Sequence, residues 1–220
     1  MRNKHAIIIG ANGLVGSELT KMLLEEEQYD KVTLITRREI ELEHEKLESL
    51  VIDFRTLHKY WDCFKCDDMF YCLGTTMNKV RKKSDFYKVE HDYCVNIAKI
   101  SQHNKVKQFL LISSKGADPN SFMFYPKVKG QIEQAVEKVG FDTLHIFRPS
   151  VLMGKRAEFR FLESISKGFL SVFNFAMVGF LKNIKGMPAQ TLAKAMIEAA
   201  KTSKKGVFIH TNRMIHEQFK

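Results

Sequence analysis

Four cysteines in 220 residues are too few for the disulfide framework that staples small secreted domains. Cys63-Phe-Lys-Cys66 has redox or zinc spacing, but no second such pair exists; Cys72 falls in an expected strand and Cys94 in an expected helix. The eight histidines are dispersed, without a His-x-x-x-His spacing. Metal and thiol catalysis are therefore left without a motif, no metal is expected, and the cytoplasm is the natural compartment. Long apolar runs are also missing. The longest, Phe169 to Leu181, is interrupted by Ser171, Asn174 and Gly179 and falls short of the ~20 residues that span a bilayer. It reads as a buried lid or interface, with a membrane-surface helix as the alternative. The first apolar run is only a strand long, so no signal peptide is expected. Neither internal repeats nor a low-complexity linker divide the chain, which reads as a single domain over residues 1–220 with a substantial core.

What is abundant is positive charge. A formal charge of +10 favours anionic ligands. The densest cluster, Lys79-Val-Arg81-Lys82-Lys83, comes with no recognisable nucleic-acid module. A nucleotide cofactor explains the basicity more economically than nucleic acid does. The remaining composition, 45% hydrophobic and 27% charged, is that of an ordinary globular protein.

The most informative stretch is Gly10-Ala-Asn-Gly-Leu-Val-Gly16, between the apolar run Ala6 to Ile9 and a segment with Val15, Leu19, Met22 and Leu23 at helical spacing. Strand, glycine turn and helix N-terminus in that order make a cradle for a diphosphate. Gly10 takes turn dihedrals, Gly13 lets backbone approach the ligand, and Gly16 lets helix and strand pack closely. First-turn N–H groups and the helix dipole then face the anion. At the tip of the next strand, Lys31 to Thr36, an Asp or Glu would bind the 2′-hydroxyl of NAD. That acid is absent: Thr36 is followed by Arg37 and Arg38, whose planar guanidinium forks suit a 2′-phosphate. The expected cofactor is NADP.

Further on, Ser49 to Phe54 reads as a third strand. Asp53 could accept from an adenine amino group with Phe54 beside the ring, or could instead cap a helix over 56–65. Met69 to Cys72 is a fourth strand, ending in a second glycine turn, Leu73-Gly74-Thr75-Thr76. Ser84-Asp85 is the expected cap of a long helix burying Val89, Tyr93, Ile97 and Ile100. A fifth strand, Gln108 to Ser113, delivers Ser113-Ser114; Tyr125 and Lys129 follow on one face of a helix beginning near Pro126. A sixth strand, Thr143 to Phe147, ends in Arg148-Pro149-Ser150. The Phe-rich region 156–187 breaks the alternation and reads as a small helical cap over the site. A helix, Ala189 to Lys201, and a strand, Gly206 to His210, complete the chain. Strands and helices alternating in this way predict an α/β Rossmann-type fold: a doubly wound, mostly parallel sheet with helices on both faces.

Serine, tyrosine and lysine at the carboxyl ends of strands, beside a nicotinamide, make a carbonyl-reduction or alcohol-oxidation site. Tyr125 exchanges the proton, Lys129 favours its phenolate form and holds ribose hydroxyls, and a serine hydroxyl meets the substrate oxygen. Ser113 and Ser114 cannot both face the site from an extended strand; Ser114 is slightly favoured by its position after the strand.

Gly-x-x-Gly-x-x-Gly, the strand-end arginines, Cys72-Leu-Gly-Thr-Thr76, Leu111-Ile-Ser-Ser-Lys-Gly-Ala-Asp118, Tyr125-x-x-x-Lys129 and Phe147-Arg-Pro149 together resemble the atypical short-chain dehydrogenases/reductases. Within them the nearest likeness is to the Tat-interacting-protein-like group of NADPH-binding oxidoreductases. The resemblance runs from about residue 5 to 165. It implies NADPH along Asn12, Gly13, Leu14 and Val15, with Arg37 and Arg38 on the 2′-phosphate and Leu73-Gly74 near the cofactor's middle. Tyr125 and Lys129 would sit at the nicotinamide ribose, and Leu152 and Arg160 would close over the cofactor after Pro149. Where extended members often carry Asn, this chain has Val89-Glu90, so a proton relay through that Asn is in doubt. The leading expectation is an NADP(H)-dependent oxidoreductase acting on a small, apolar carbonyl or alcohol. The alternative is an NADPH-holding module, as homodimer or with a regulatory protein partner, that acts without turnover.

Overall fold

The computed structural model describes residues 3–75, 80, 82–153, 186–202 and 204–219. Seven parallel strands form one sheet in the order β3-β2-β1-β4-β5-β6-β9. They are β1 (Lys4–Ile9), β2 (Tyr29–Thr36), β3 (Leu47–Val51), β4 (Asp68–Tyr71), β5 (Gln108–Ile112), β6 (Thr143–Arg148) and β9 (Gly206–Thr211). The order reverses between β1 and β4, the switch point where open α/β sheets leave a crevice at their carboxyl edge. A two-stranded parallel ribbon, β7 (Leu152–Met153) with β8 (Met187–Pro188), stands after β6.

Central strands are buried on both faces, which is why they read as continuous apolar runs. Successive residues of β1 part company: Ala6 and Ile8 pack on one side, Ile7 and Ile9 on the other. On the first side lie α1 (Leu14–Glu25), α5 (Ala189–Ala200) and α6 (Asn212–Gln218). On the second lie two 3₁₀ turns, Phe54–Lys59 and Trp61–Phe64, and the helices α2 (Lys83–Tyr87), α3 (Tyr93–His103) and α4 (Phe124–Glu137). The expected doubly wound sheet is observed, and every strand pair in it is parallel. Among the described residues no helix is long and apolar enough to cross a membrane. The expected cap over 156–187 lies outside the described residues except for its last two positions.

Three local expectations are corrected. The third strand ends at Val51, two residues before Asp53. Ser84-Asp85 does not cap the long helix, which starts at Lys83 after an uncapped Lys82. That helix is also not continuous: α2 and α3 are joined by a π turn, Lys88–Asp92, and Glu90 in that turn is buried, whereas Val89 is only half-buried. A π turn inserts one residue into the helical repeat, and regular 3.6-residue counting does not anticipate which side chain then faces inward.

The segment between β5 and α4 explains the Ser-Ser-Lys-Gly-Ala-Asp motif physically. Gly116 takes φ +82°, Ala117 is buried, and Asp118 N–H donates to the Pro126 carbonyl at 3.1 Å. The loop then crosses α4 at Gly130, where a Cβ would lie 2.2 Å from Pro119 N and 2.3 Å from the Asp118 carbonyl carbon. Only glycine lets backbone and helix approach this closely, so Gly130 sets the seat of α4 beneath the loop. Gly130→Ala is expected to lower stability by roughly 1–3 kcal/mol through overpacking. The sign is diagnostic, because the same change inside an uncrowded helix stabilises by up to about 1 kcal/mol. Urea melts of Gly130→Ala against the exposed control Gln134→Ala check it.

At the β6–β9 edge, His145 is 2% exposed and its Nδ1 lies 3.0 Å from His210 Nε2. Burial, and secondarily the neighbouring His210, push His145 down to about 4. An imidazole held neutral in the native state contributes stability that is fully present above the unfolded value of about 6.5. That contribution is lost as pH falls from there toward about 4. Denaturation midpoints of the wild type should drop through this window, and His145→Leu should flatten the slope.

Candidate functional site

The site is built where β1, β4, β5 and β6 end. At Gly10 the chain turns with φ +89°, and Gly13 N–H donates to the Gly10 carbonyl at 2.8 Å. A Cβ on Gly10 would fall 2.7 Å from Leu73 N, and one on Gly16 would fall 2.3 Å from the Gly10 carbonyl oxygen. Gly10 therefore has two reasons to be glycine: its dihedrals and the loop after β4 pressed against it. Gly16 has one, the close seating of α1 on the turn. No side chain caps α1 at Gly13, and its first turn carries no acid. A terminus with no side-chain cap and no acid in its first turn fits the diphosphate of a dinucleotide. Asn12 is exposed and Gly13 and Leu14 half-buried on this rim; Val15 points into the core, so only its backbone can face a ligand.

At the end of β2, Thr36 Oγ1 donates to the Arg38 carbonyl at 2.6 Å. This bond fixes the turn while Arg37 and Arg38 stay exposed, and neither guanidinium forms an ion pair among the described residues. Two neighbours of this corner are corrected. Asp53 caps the first 3₁₀ turn, accepting from Arg55 N–H at 2.9 Å, and pairs with the Arg55 guanidinium at 2.8 Å. Phe54 is 4% exposed and stacks on Tyr93 with centroids 5.7 Å apart. The cap reading of Asp53 holds, and Phe54 belongs to the core rather than to an adenine pocket.

Leu73, Gly74 and Thr75 follow β4 beside the glycine turn. Thr75 N–H donates to Glu90 Oε1, and the other Glu90 oxygen accepts from Lys129 Nζ at 2.6 Å. The two side chains are 2% and 9% exposed. Burial works against the Lys129 ammonium; the Glu90 carboxylate, with Tyr125 adding to it, outweighs burial and raises Lys129 above the ordinary lysine range. Tyr125 lies in the first turn of α4, which starts at Phe124, slightly before the position expected from Pro126. Its ring is half-exposed, braced edge-on by Phe86 at 6.0 Å, with Lys129 Nζ 6.0 Å from its centroid.

The serine pair is divided by the pleat. Ser113 is buried and its hydroxyl donates to Glu133, a carboxylate on α4 that also holds Arg148 at 2.5 Å. Ser113 is thus withdrawn from the catalytic set and ties β5 to α4. Ser114, at the edge and half-buried, donates to the Lys115 carbonyl at 3.3 Å. Pro149 is buried, and its carbonyl accepts from Lys115 N–H at 2.8 Å, joining the ends of β5 and β6. Leu152 is half-buried in β7; Arg160 lies outside the described residues.

Two participants were missed from the sequence. Glu90 was noted only as a departure from an expected Asn, and Glu133 not at all. Both are charged residues, one in the π turn and one on α4, and only their burial marks them out. Burial of a carboxylate is rare without a partner.

The sequence profile described as the NAD dependent epimerase/dehydratase family matches residues 6–211. Protein HTATIP2 of Rattus norvegicus is 39% identical over 173 residues, 77% of this chain and 71% of the relative. Protein fmp52, mitochondrial, of Aspergillus niger is 32% identical over 199 residues, 87% of this chain and 85% of the relative. Among solved structures, a UDP-N-acetylglucosamine 4-epimerase from Methanobrevibacter ruminantium M1, in complex with UDP-N-acetylmuramic acid, superposes with TM-score 0.70 at 18% identity, covering 98% of this chain and 81% of that one. MoeE5 in complex with UDP-glucose and NAD gives TM-score 0.73 at 14% identity, covering 94% and 75%. At these identities the structures speak for the fold alone.

The relatives overturn one expectation, the cytoplasmic compartment: the fungal ones are named mitochondrial. Scarce cysteines exclude a disulfide framework, which is a statement about redox environment and not about one compartment. Profile, relatives and fold agree on the rest: the chain belongs to the NAD-dependent epimerase/dehydratase family, within its HTATIP2-like group of atypical short-chain dehydrogenases/reductases.

Proposed function

We propose that the protein is an NADP(H)-dependent oxidoreductase that reduces the carbonyl, or oxidises the alcohol, of a small apolar molecule, with Tyr125 as acid and base. The observation that carries this reading is a continuous run of contacts. Gly10 abuts Leu73, Thr75 and Lys129 share Glu90, and Lys129 lies beside Tyr125. These contacts link the glycine turn to the tyrosine–lysine pair along the carboxyl edge of the sheet, which supports one site shared by both. The bound dinucleotide supplies or accepts the hydride. Gly10, Gly13 and the first-turn amides of Leu14 and Val15 hold its diphosphate; Leu73, Gly74 and Thr75 line its middle; Arg37 and Arg38 take the 2′-phosphate. Lys129, held as an ammonium by Glu90, binds ribose hydroxyls. Tyr125 donates a proton to the substrate oxygen during reduction and recovers it from solvent. Ser114, at the free end of β5, donates to that same oxygen where charge develops. Apolar side chains flank this edge: Met123, Val151 and Met153 are all exposed, which suits a substrate with an apolar body.

Tyr125→Phe should cut the turnover of NADPH with a panel of apolar aldehydes and ketones by about 10²–10⁴, the usual worth of a positioned acid, and leave NADPH affinity within a fewfold. Equal rates in both proteins would sink this role. Arg37→Ala with Arg38→Ala should weaken NADPH binding roughly tenfold to a hundredfold, on the order of one charge-assisted bond, and leave NADH binding unchanged. Fluorescence titration of both nucleotides reads the ratio, and parallel loss for both would refute the phosphate assignment.

A further inference from the structure

The carboxylate at position 90 does more than neutralise a lysine. One of its oxygens is held by the Thr75 N–H and the other by Lys129 Nζ. Thr75 follows Gly74, whose own Cβ, if present, would lie 3.4 Å from Glu90 Oε1. Glu90 therefore touches both the loop beside the glycine turn and the lysine one helical turn from Tyr125. It reaches them from a π turn, a rare form of helix found frequently at functional sites.

Among the described residues, Lys129 has no charged partner besides Glu90. Tyr125 faces it from α4, Cys94 from α3, and Tyr71 from β4 lies near both Glu90 and Cys94. Burial raises the Cys94 thiol and the Tyr71 phenol, so neither is charged near neutrality. Among the described residues, the fixed charges here are one ammonium and one carboxylate. An ammonium with its three donors, one of them spent on Glu90, has two left for a tyrosine oxygen and a ribose hydroxyl.

We propose that Glu90 is the positioning residue of this site: it keeps Lys129 in place as an ammonium and ties it to the Leu73–Thr75 loop, so that loop and tyrosine–lysine pair present one rigid surface to the dinucleotide. This rests on the dinucleotide reading above and adds a residue to it. A neutral side chain at position 90 could hold the Thr75 N–H but could not hold the charge on Lys129. Without Glu90, burial acts unopposed and Lys129 sheds its proton at lower pH.

The test is the pH dependence of NADPH affinity, read by nucleotide fluorescence from pH 7 to 9.5. In the wild type, the raised Lys129 keeps its proton throughout and affinity should change less than twofold. In Glu90→Gln, affinity should fall at least fivefold across the range as Lys129 titrates within it. Glu90→Asp, which keeps the charge on a shorter arm, should restore a flat profile at weaker overall binding. A purely structural role would weaken Gln and Asp variants by one factor at every pH, and a flat profile in Glu90→Gln overturns the proposal.

Should Glu90→Gln fail to fold, Lys129→Met and the double variant decide. Removing Lys129 alone strands a buried carboxylate, so the double variant should melt above Lys129→Met; an equal or lower melting temperature overturns the pairing. Wild type that binds no NADPH would overturn the dinucleotide reading itself and this role with it. NADPH binding without carbonyl turnover would remove only the reductase reading and leave Glu90 judged by its pH profile.

Discussion

One buried ion pair, Lys129 with Glu90 at 2.6 Å, is the constraint on which the carboxyl edge of this sheet depends. Two charges withdrawn from water are costly, and their attraction repays that cost only when further hydrogen bonds complete the geometry. Here the Thr75 N–H completes it. Pairs of this kind contribute little net stability compared with an apolar replacement; what they contribute is a fixed arrangement. The arrangement joins three elements distant in sequence: the loop after β4, the π turn between α2 and α3, and α4. Breaking one member would leave a charge stranded in the core, so the three move together or not at all.

A second buried carboxylate does the same work one turn along α4. Glu133 accepts from Ser113 at the end of β5 and from Arg148 at the end of β6. Gly130 lies between Lys129 and Glu133 and lets the loop from β5 cross the helix at backbone contact. Helix α4 is therefore pinned along a single face: Lys129 to the β4 side, Gly130 to the loop, Glu133 to the β5–β6 side. Tyr125, at its exposed first turn, inherits its position from those three. The expected preference for Ser114 over Ser113 gains a reason from the same facts, since the inward hydroxyl of the pair is already committed to Glu133.

The parts of this protein legible in its sequence were those with a local signature. Glycines at a strand-helix junction, β-branched runs and the reversal of apolar period dictated a doubly wound sheet, because each follows from backbone geometry within a few residues. Tyr125 and Lys129 were legible because helical spacing places them on one face. Glu90 and Glu133 were not, because a carboxylate's burial depends on partners 39 and 15–20 residues away. The π turn also shifts the inward position from Val89 to Glu90 without any local marker. Phe54 misled for a related reason: the strand stops at Val51, and the chain turns the ring inward onto Tyr93. The compartment was misread because cysteine count constrains redox state only.

The charge balance of the cleft divides the work of recognition. Lys129 is neutralised by Glu90, so it exerts little long-range pull on an anion; its contribution is short-range and directional. In the proposed reading, attraction for a diphosphate then rests on the uncapped terminus of α1, whose first turn holds no acid. Arg37 and Arg38 are exposed and free of ion pairs among the described residues, which leaves both guanidinium groups open to the 2′-phosphate of the proposed NADP. In that reading, a lysine left unpaired at this edge would also attract the cofactor's phosphates and be drawn away from the ribose. Pairing it with a buried carboxylate would confine it to hydroxyl groups. The net charge of +10 raises the local concentration of any nucleotide, and the placement of paired and unpaired cations decides how that nucleotide lies.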